Sequence, residues 1–430
     1  MSVAPSSPNR WSDLISERYQ CALSSDLVDW FDHEIWRQTG TSEYDRPVTP
    51  DELLADAPDA IWPGLMPCDL LPIIGDSIGN WLCVRIGENN RMGETIQWYH
   101  GGGDWMPWGQ RLSDAIVFEA LVDRLPGPRR QLAIPAEIPK QNFAPLDDPL
   151  VRWAFEQQTP TVSHLLTTDA PCDSIADTLL SSHVAEVAVR CELVQSSLHQ
   201  RWSDSVDSKF AQSIGFDWND VVQWRFDDAR MPNDAWRVIA RQLGLSDEDR
   251  GHQDWDAAAE HGKQCIEQSP DLLWPWDIAG YAEERRGRVA DAMDVYREGA
   301  YRSTFTDQAV RINTHWTQSQ AVKFCVARMQ QLEPEQVFYS SYLKSLVGNN
   351  IQRSQNDVYQ YWIDQSKQTV EDAERLTLLM RAGWDLGAAS MDHYANLLEA
   401  IFDAATNAGQ HARAALAKAH RQCLRERYEV

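Results

Sequence analysis

From Trp81 to Ile86, and again from Thr95 to His100, the chain mixes aromatic, β-branched and other apolar residues with single polar ones. Both runs suit a pleated, half-buried sheet. Glu88 to Gly93, with Asn89 and Asn90 inside, form a turn between them, so the pattern predicts an antiparallel hairpin. A second turn lies upstream, where Gly75, Asp76, Ser77, Gly79 and Asn80 crowd together. Downstream, the Gly101, Gly102, Gly103 break leads into a loop holding Trp105 and Trp108. Ser113 then stands as the N-cap of a helix with Ile116, Val117, Leu121 and Val122 apolar, closing near Leu125.

Elsewhere the spacing is helical. Leu14, Ile15, Tyr19, Leu23, Leu27, Trp30 and Phe31 predict one helix over 11–36, stopped at Gly40. Thr49 as cap and Pro50 in the first turn open another. Six prolines between Pro126 and Pro149 remove donors and restrict the residues before them, which predicts an extended surface connection and a domain boundary. A proline-rich ligand for an aromatic groove is the other reading of that segment, and Pro126, Pro128 and Arg129 do not decide between the two. Beyond Leu150 strand signals nearly vanish. Ser390 caps a helix with Tyr394, Leu397, Leu398, Ile401, Phe402 and Ala405 on one face and Gly409 past its end. Thr369, Glu371 and Asp372 open the helix before it. The fold class is therefore α+β: 1–125 an antiparallel sheet packed with helices, 126–149 a linker, and 150–430 an α-helical domain.

Within the helical part, Trp276, Gly280, Ala292, Tyr296 and Gly299 fall at the spacing of a tetratricopeptide repeat. One period back stand Ala258 and Cys265, with Pro270 between repeats, so degenerate repeats are expected around 255–303. Small residues at Gly280 and Ala292 would let two antiparallel helices approach, with Trp276 and Tyr296 filling the space between.

The order over 70–121 resembles the SUKH superfamily, also known as the Smi/Knr family. The matching residues are Leu71, Pro72, Ile73, Gly75, Asp76, Gly79, Asn80, Leu82, Cys83, Trp98, His100 and Ser113. The resemblance implies a binding domain without a reaction. It further implies either a bacterial immunity role, in which the protein neutralises a toxin, or a scaffold role like that of the fungal cell-wall synthesis regulators.

Lys plus Arg total 39 and Asp plus Glu 64, a net charge of −25. Such a chain repels phosphate backbones and anionic lipid, so neither nucleic acid nor a membrane is an expected partner. The acidity suits a protein partner that is basic, such as a nuclease toxin. The plainer reading of the same acidity, and the favoured one, is a well-solvated surface. Eight cysteines are scattered with no C-x-x-C pair, which predicts neither a disulfide scaffold nor a zinc ribbon. Met1 to Arg10 lacks an apolar core, and no apolar window is long enough to span a bilayer, so a cytoplasmic location is expected.

No G-x-S-x-G elbow, P-loop or H-E-x-x-H stands in the chain, so no catalytic residue, cofactor or metal site is assigned. His261 and Cys265 sit four apart on a helix, but two ligands do not make a metal site. Asp76 in its Gly-rich turn is read first as bonding its own backbone amides. The functional alternative is a polar rim of Asp76, Asn80 and His100 around a groove floored by Trp81 and Trp98. Most of the 19 tryptophans must serve packing, yet Trp105 and Trp108, in a Gly- and Pro-dense loop, are expected to be exposed and to anchor a partner. Two functions stay open: a non-catalytic protein-binding module using these seven residues, and an enzyme whose active site assembles around His100 only in the fold.

Overall fold

The computed structural model describes residues 10–38, 40, 43–126, 145–167, 171–306, 309–337 and 339–429. It contains a five-stranded antiparallel sheet in the order β1 (Tyr44–Pro47), β2 (Leu70–Asp76), β3 (Trp81–Ile86), β4 (Met92–Trp98) and β5 (Trp105–Gly109). The other regular elements among the described residues are helices. By compactness the chain forms two units, the first from Met1–Arg124, Glu137–Ala188 and Gln355–Val430, the second from Leu125–Ala136 and Val189–Ser354. Most of the expected linker, 127–144, lies outside the described residues. Its end is described: Pro149 opens the helix Pro149–Glu156, and the Asp148 carboxylate accepts from the amides of Leu150 at 2.8 Å and Val151 at 3.3 Å.

The β3–β4 hairpin forms as the pattern predicts, with Trp81 opposite Trp98, Leu82 opposite Gln97 and Cys83 opposite Ile96. Because side chains alternate, Trp81, Cys83, Ile96 and Trp98 share one face, and Leu82, Val84, Thr95 and Gln97 share the other. Three strands escaped the sequence reading: β1, β2 and β5. β2 occupies the Leu-Pro entry, and its residues are buried throughout. β5 occupies the segment read as a loop, and this corrects the expected exposure of its tryptophans. Pro107 disguises the strand, yet it sits on the sheet edge, where a missing donor costs no ladder bond.

The expected helix over 11–36 is two helices, α1 (Trp11–Tyr19) and α2 (Ser25–Asp32), followed by a 3-10 turn at Ile35–Arg37. Gln20 takes a left-handed conformation, φ 50°, and Ala22 then bridges to Arg91 beside the sheet. Thr49 caps α3 (Pro50–Leu54) as expected, accepting from the Glu52 amide at 3.2 Å. α4 (Leu112–Leu121) begins one residue before Ser113, so Ser113 is not its cap. Instead the Ser113 amide donates to the Asp26 carboxylate of α2 at 3.1 Å. α4 covers the second sheet face through Phe118, which meets Trp108 edge-on at 4.9 Å between ring centroids.

The C-terminal helices Asp372–Trp384, Met391–Asn407 and His411–Tyr428 belong to the first unit. Ser390 caps the middle one, accepting from the His393 amide at 3.2 Å. Tyr394, Leu397, Leu398, Ile401 and Ala405 are buried as expected, whereas Phe402 is exposed at the edge of that stripe. Asn90, in the β3–β4 turn, receives the Ala412 amide at 2.9 Å and donates to the Gly409 carbonyl at 3.0 Å. Arg413 donates to the Ile86 carbonyl at 3.0 Å. His420 on the same helix is wholly buried.

In the second unit the helices Trp255–Gln268, Trp274–Arg285 and Val289–Gly299 pack in succession. Ala258, Cys265, Ala292 and Tyr296 are fully buried. A Cβ on Gly280 would lie 2.5 Å from the Tyr296 ring, and one on Gly299 would lie 2.7 Å from Trp276. This is the close approach that the small-residue spacing predicts. Beyond it Lys323, also buried, donates to the carbonyls of Ala300 at 2.8 Å and Arg302 at 2.5 Å and to the Tyr342 hydroxyl at 2.9 Å. An ammonium has three donors, and all three are matched.

Two stability outcomes follow. Alanine ordinarily gains about 1 kcal/mol over glycine inside a helix. At Gly280→Ala the added methyl must displace a buried ring whose hydroxyl is held by Glu284 at 3.1 Å, and overpacking of this kind costs about 1–3 kcal/mol. Denaturant titration should show Gly280→Ala less stable than the parent; an equal or higher midpoint would mean that the ring yields freely. Burial lowers the His420 pKa to about 3, and the Leu70 backbone offsets only part of that. Because the folded value lies below the unfolded one of about 6.5, the neutral ring's stabilisation is present above pH 6.5 and is lost as the pH falls from there toward 3, by about 1.4 kcal/mol per unit. His420→Leu should flatten this acid limb relative to the parent in paired unfolding curves at pH 7 and pH 4.5.

Candidate functional site

The hairpin brings five of the seven expected residues to one end of the sheet. Asp76 closes β2, Asn80 precedes β3, and the Asp76 amide donates to the Asn80 carbonyl at 3.0 Å. One Asp76 oxygen accepts from the amides of Ile78 at 2.9 Å and Asn80 at 2.8 Å; the other accepts from the Asn80 side-chain amide at 2.8 Å. This is the Asx-type turn that the sequence reading favours. Asn80 in turn accepts from the His100 amide at 3.1 Å, tying the β2–β3 turn to the end of β4. Gly79, at φ 96°, permits the turn, and a Cβ there would meet the His100 ring at 3.4 Å.

Above this frame lies an aromatic surface. Trp62, half-buried in the loop before β2, stands edge-on to His100 with ring centroids 4.4 Å apart and faces Trp98 at 6.3 Å. Trp98 is fully buried, and Trp81, its cross-strand partner, is half-buried. Ile78 at the tip of the turn is 51% exposed, and Leu65, three residues past Trp62, is 39% exposed. Trp62 was missed in the sequence because it lies outside the hairpin pattern; the Trp62-Pro63-Gly64 run is its one local signal.

Trp105 stands at the same sheet end but is buried, and Trp108 lies on the other face. Trp105 pairs with Trp98 across β4 and β5, is 7% exposed, and lies under the Arg85 guanidinium at 4.1 Å. Trp108 points to the other face and is fully buried, donating its indole N–H to Glu119 at 2.6 Å. Beside it a buried polar chain runs from Tyr44 through Gln97, whose side chain donates to the Tyr44 hydroxyl at 2.6 Å and accepts from Tyr99. Burial raises the Tyr44 pKa well above the ordinary tyrosine value. These groups bond one another and hold the sheet to α4. Neither tryptophan is an exposed anchor.

The second unit carries a charged cluster that the sequence did not reveal, because it joins two short runs, 227–230 and 281–285, that stand more than fifty positions apart. The cluster lines an open cavity of about 320 Å³ formed by Asp227, Ala229, Arg230, Tyr281, Glu284 and Arg285. Asp227 accepts from the Ala229 amide at 3.0 Å, the Tyr281 hydroxyl at 2.7 Å and the Arg285 guanidinium. Glu284 accepts from the Tyr296 hydroxyl at 3.1 Å and from two nitrogens of the buried Arg328. Burial raises the Tyr281 pKa and lowers that of Arg285. Around the cluster Phe226 touches Trp255, Tyr281, Trp316 and Phe324 at ring-centroid distances of 4.7–5.9 Å.

Elsewhere, His261 contacts the Arg190 guanidinium at 3.5 Å, and Cys265 is buried. Burial and the Arg190 charge lower the His261 pKa. Among the described residues, no group of three or more His, Cys, Asp or Glu side chains is arranged to hold a metal ion. No helix among them is long and apolar enough to cross a membrane. Compared with protein-family models, with curated proteins and with solved structures, the chain matches none.

The frame has a measurable cost of removal. Asn80→Ala deletes the donor to Asp76 and the acceptor of the His100 amide, leaving buried polar atoms unpaired at about 1–3 kcal/mol. Thermal unfolding should show that loss, whereas Ser77→Ala, at an exposed position of the same turn, should change little.

Proposed function

We propose that the chain is a non-catalytic protein-binding module of the Smi/Knr kind, acting through the aromatic surface at the end of its sheet. One observation carries this reading: the Asp76 carboxylate is spent entirely on the turn, on Ile78, Asn80 and the Asn80 side chain. The polar residues near His100 therefore frame Trp62, Trp81 and Ile78 and do not form an acid–base pair. Half-buried aromatics held rigidly on a scaffold are the usual anchors of protein interfaces.

Charge supports a basic partner. Residues 43–126 carry fourteen carboxylates against five arginines and no lysine, in a chain of net charge −25. Such a field speeds encounter with a basic surface and disfavours acidic ones. A basic toxin domain, masked by this immunity-type protein, fits both features, and a regulatory or cell-wall complex with a basic docking segment fits the same chemistry. Cys21, Cys68, Cys83, Cys191, Cys265, Cys325 and Cys423 are buried free thiols, which suits a reducing, cytoplasmic compartment. The helical hairpins around 255–303, similar to tetratricopeptide repeats, would extend the assembly.

Ile78→Glu tests the reading without touching the frame, because Ile78 contributes an exposed side chain and only its amide bonds Asp76. Loss of an interface anchor worth about 2 kcal/mol weakens binding roughly 30-fold. A basic protein captured by the parent from its native host should be lost with Ile78→Glu at an unchanged melting temperature. Undiminished capture of that protein, or turnover of a substrate that depends on the His100 ring, would overturn the proposal.

A further inference from the structure

We infer that the cavity of the second unit binds a small organic oxyanion, a carboxylate or a phosphate ester of metabolite size, through Arg230 and Arg285. The inference is independent of the surface on the sheet. Its basis is a count of hydrogen-bonding capacity. Of the four charged residues lining the cavity, the two carboxylates are committed. Asp227 accepts from Ala229, Tyr281 and Arg285, and Glu284 accepts from Tyr296 and twice from Arg328.

The guanidiniums are not exhausted. Each carries five N–H donors in a fixed fork. Arg230 donates to Gln223 at 2.9 Å and bonds Tyr281, while Arg285 spends its bonds on Asp227 with Asp228 at 3.7 Å. Both are also seated on indole rings, Arg230 at 4.7 Å from Trp316 and Arg285 at 5.5 Å from Trp255, which fixes where their remaining donors lie. Formal charge is balanced, Arg328, Arg285 and Arg230 against Glu284, Asp227 and Asp228, so the surplus is one of donors. Donors in surplus, on planar forks, select a ligand rich in acceptor oxygens and capable of bidentate contact. About 320 Å³ is near the lower end of small-molecule sites and admits a molecule the size of a sugar phosphate or a tricarboxylate.

Ala229 supplies the cleanest test. It lines the cavity with an exposed side chain, and only its amide serves Asp227, so Ala229→Trp fills the space without removing a charge. Arg230→Gln removes one fork. Isothermal titration of the full chain with glucose 6-phosphate, citrate, inorganic phosphate and, as the uncharged control, glucose should give saturable binding to at least one of the three oxyanions, weakened by salt. Both variants should lower that affinity by about tenfold or more, Ala229→Trp at an unchanged unliganded melting temperature. Binding of the phosphates alone would assign the site to phosphate esters, and binding of citrate alone to carboxylates; either supports the inference. Saturable binding to none, binding of glucose as tight as its phosphate, or affinities that Ala229→Trp leaves intact would overturn it.

Discussion

A helix exposes unsatisfied amides at its start, and a buried start must find acceptors. In the first unit, two helices whose own N-cap residues offer no side-chain bond draw acceptors from distant parts of the chain. Asp26 of α2 receives the Ser113 amide of α4, and Asn90 of the β3–β4 turn receives the Ala412 amide of the last helix. Each bond joins segments that the linear order separates. Together with Arg413 on the Ile86 carbonyl, they determine where the sheet's helices can sit. The aromatic surface and its frame depend on that placement.

The sheet end shows how the same accounting separates scaffold from surface. Asp76 and Asn80 are 3% and 4% exposed, and each of their side-chain contacts closes a turn or joins two strands. A carboxylate used three times in this way serves as a fastener. What the frame offers outward is apolar: Trp62, Trp81, Ile78 and the His100 ring. In the proposed role, a preorganised surface of that kind would reduce the ordering cost of association, and the acidic charge around it would favour a basic partner.

The second unit solves a different problem. Glycines at the crossings of its helices bring backbones close enough that Tyr296 and Trp276 fill the remaining space. Its charged residues are then held among aromatic rings, where carboxylates pair fully while guanidiniums, with more donors than any one carboxylate can accept, retain capacity. Stability and unspent recognition chemistry arise there from the same packing.

The sequence determined the elements that rest on local chemistry. Alternation and turn residues specify the β3–β4 hairpin, Thr49 and Ser390 mark their helices with their own caps, and the spacing of Gly280, Ala292 and Tyr296 specifies a close helical pair. It also placed Asp76, Asn80, Trp81, Trp98 and His100 at one hairpin end, because a hairpin's register follows from its turn. Tertiary structure decided the rest. Pro107 became compatible with a strand only at a sheet edge, so Trp105 and Trp108 went inward; the end of α1 was fixed by Gln20 turning left-handed. Trp62, Asp227, Tyr281 and Glu284 acquired neighbours far away in the chain. Local chemistry carries no record of such partners, because the bonds that define them exist only once the helices have been brought together.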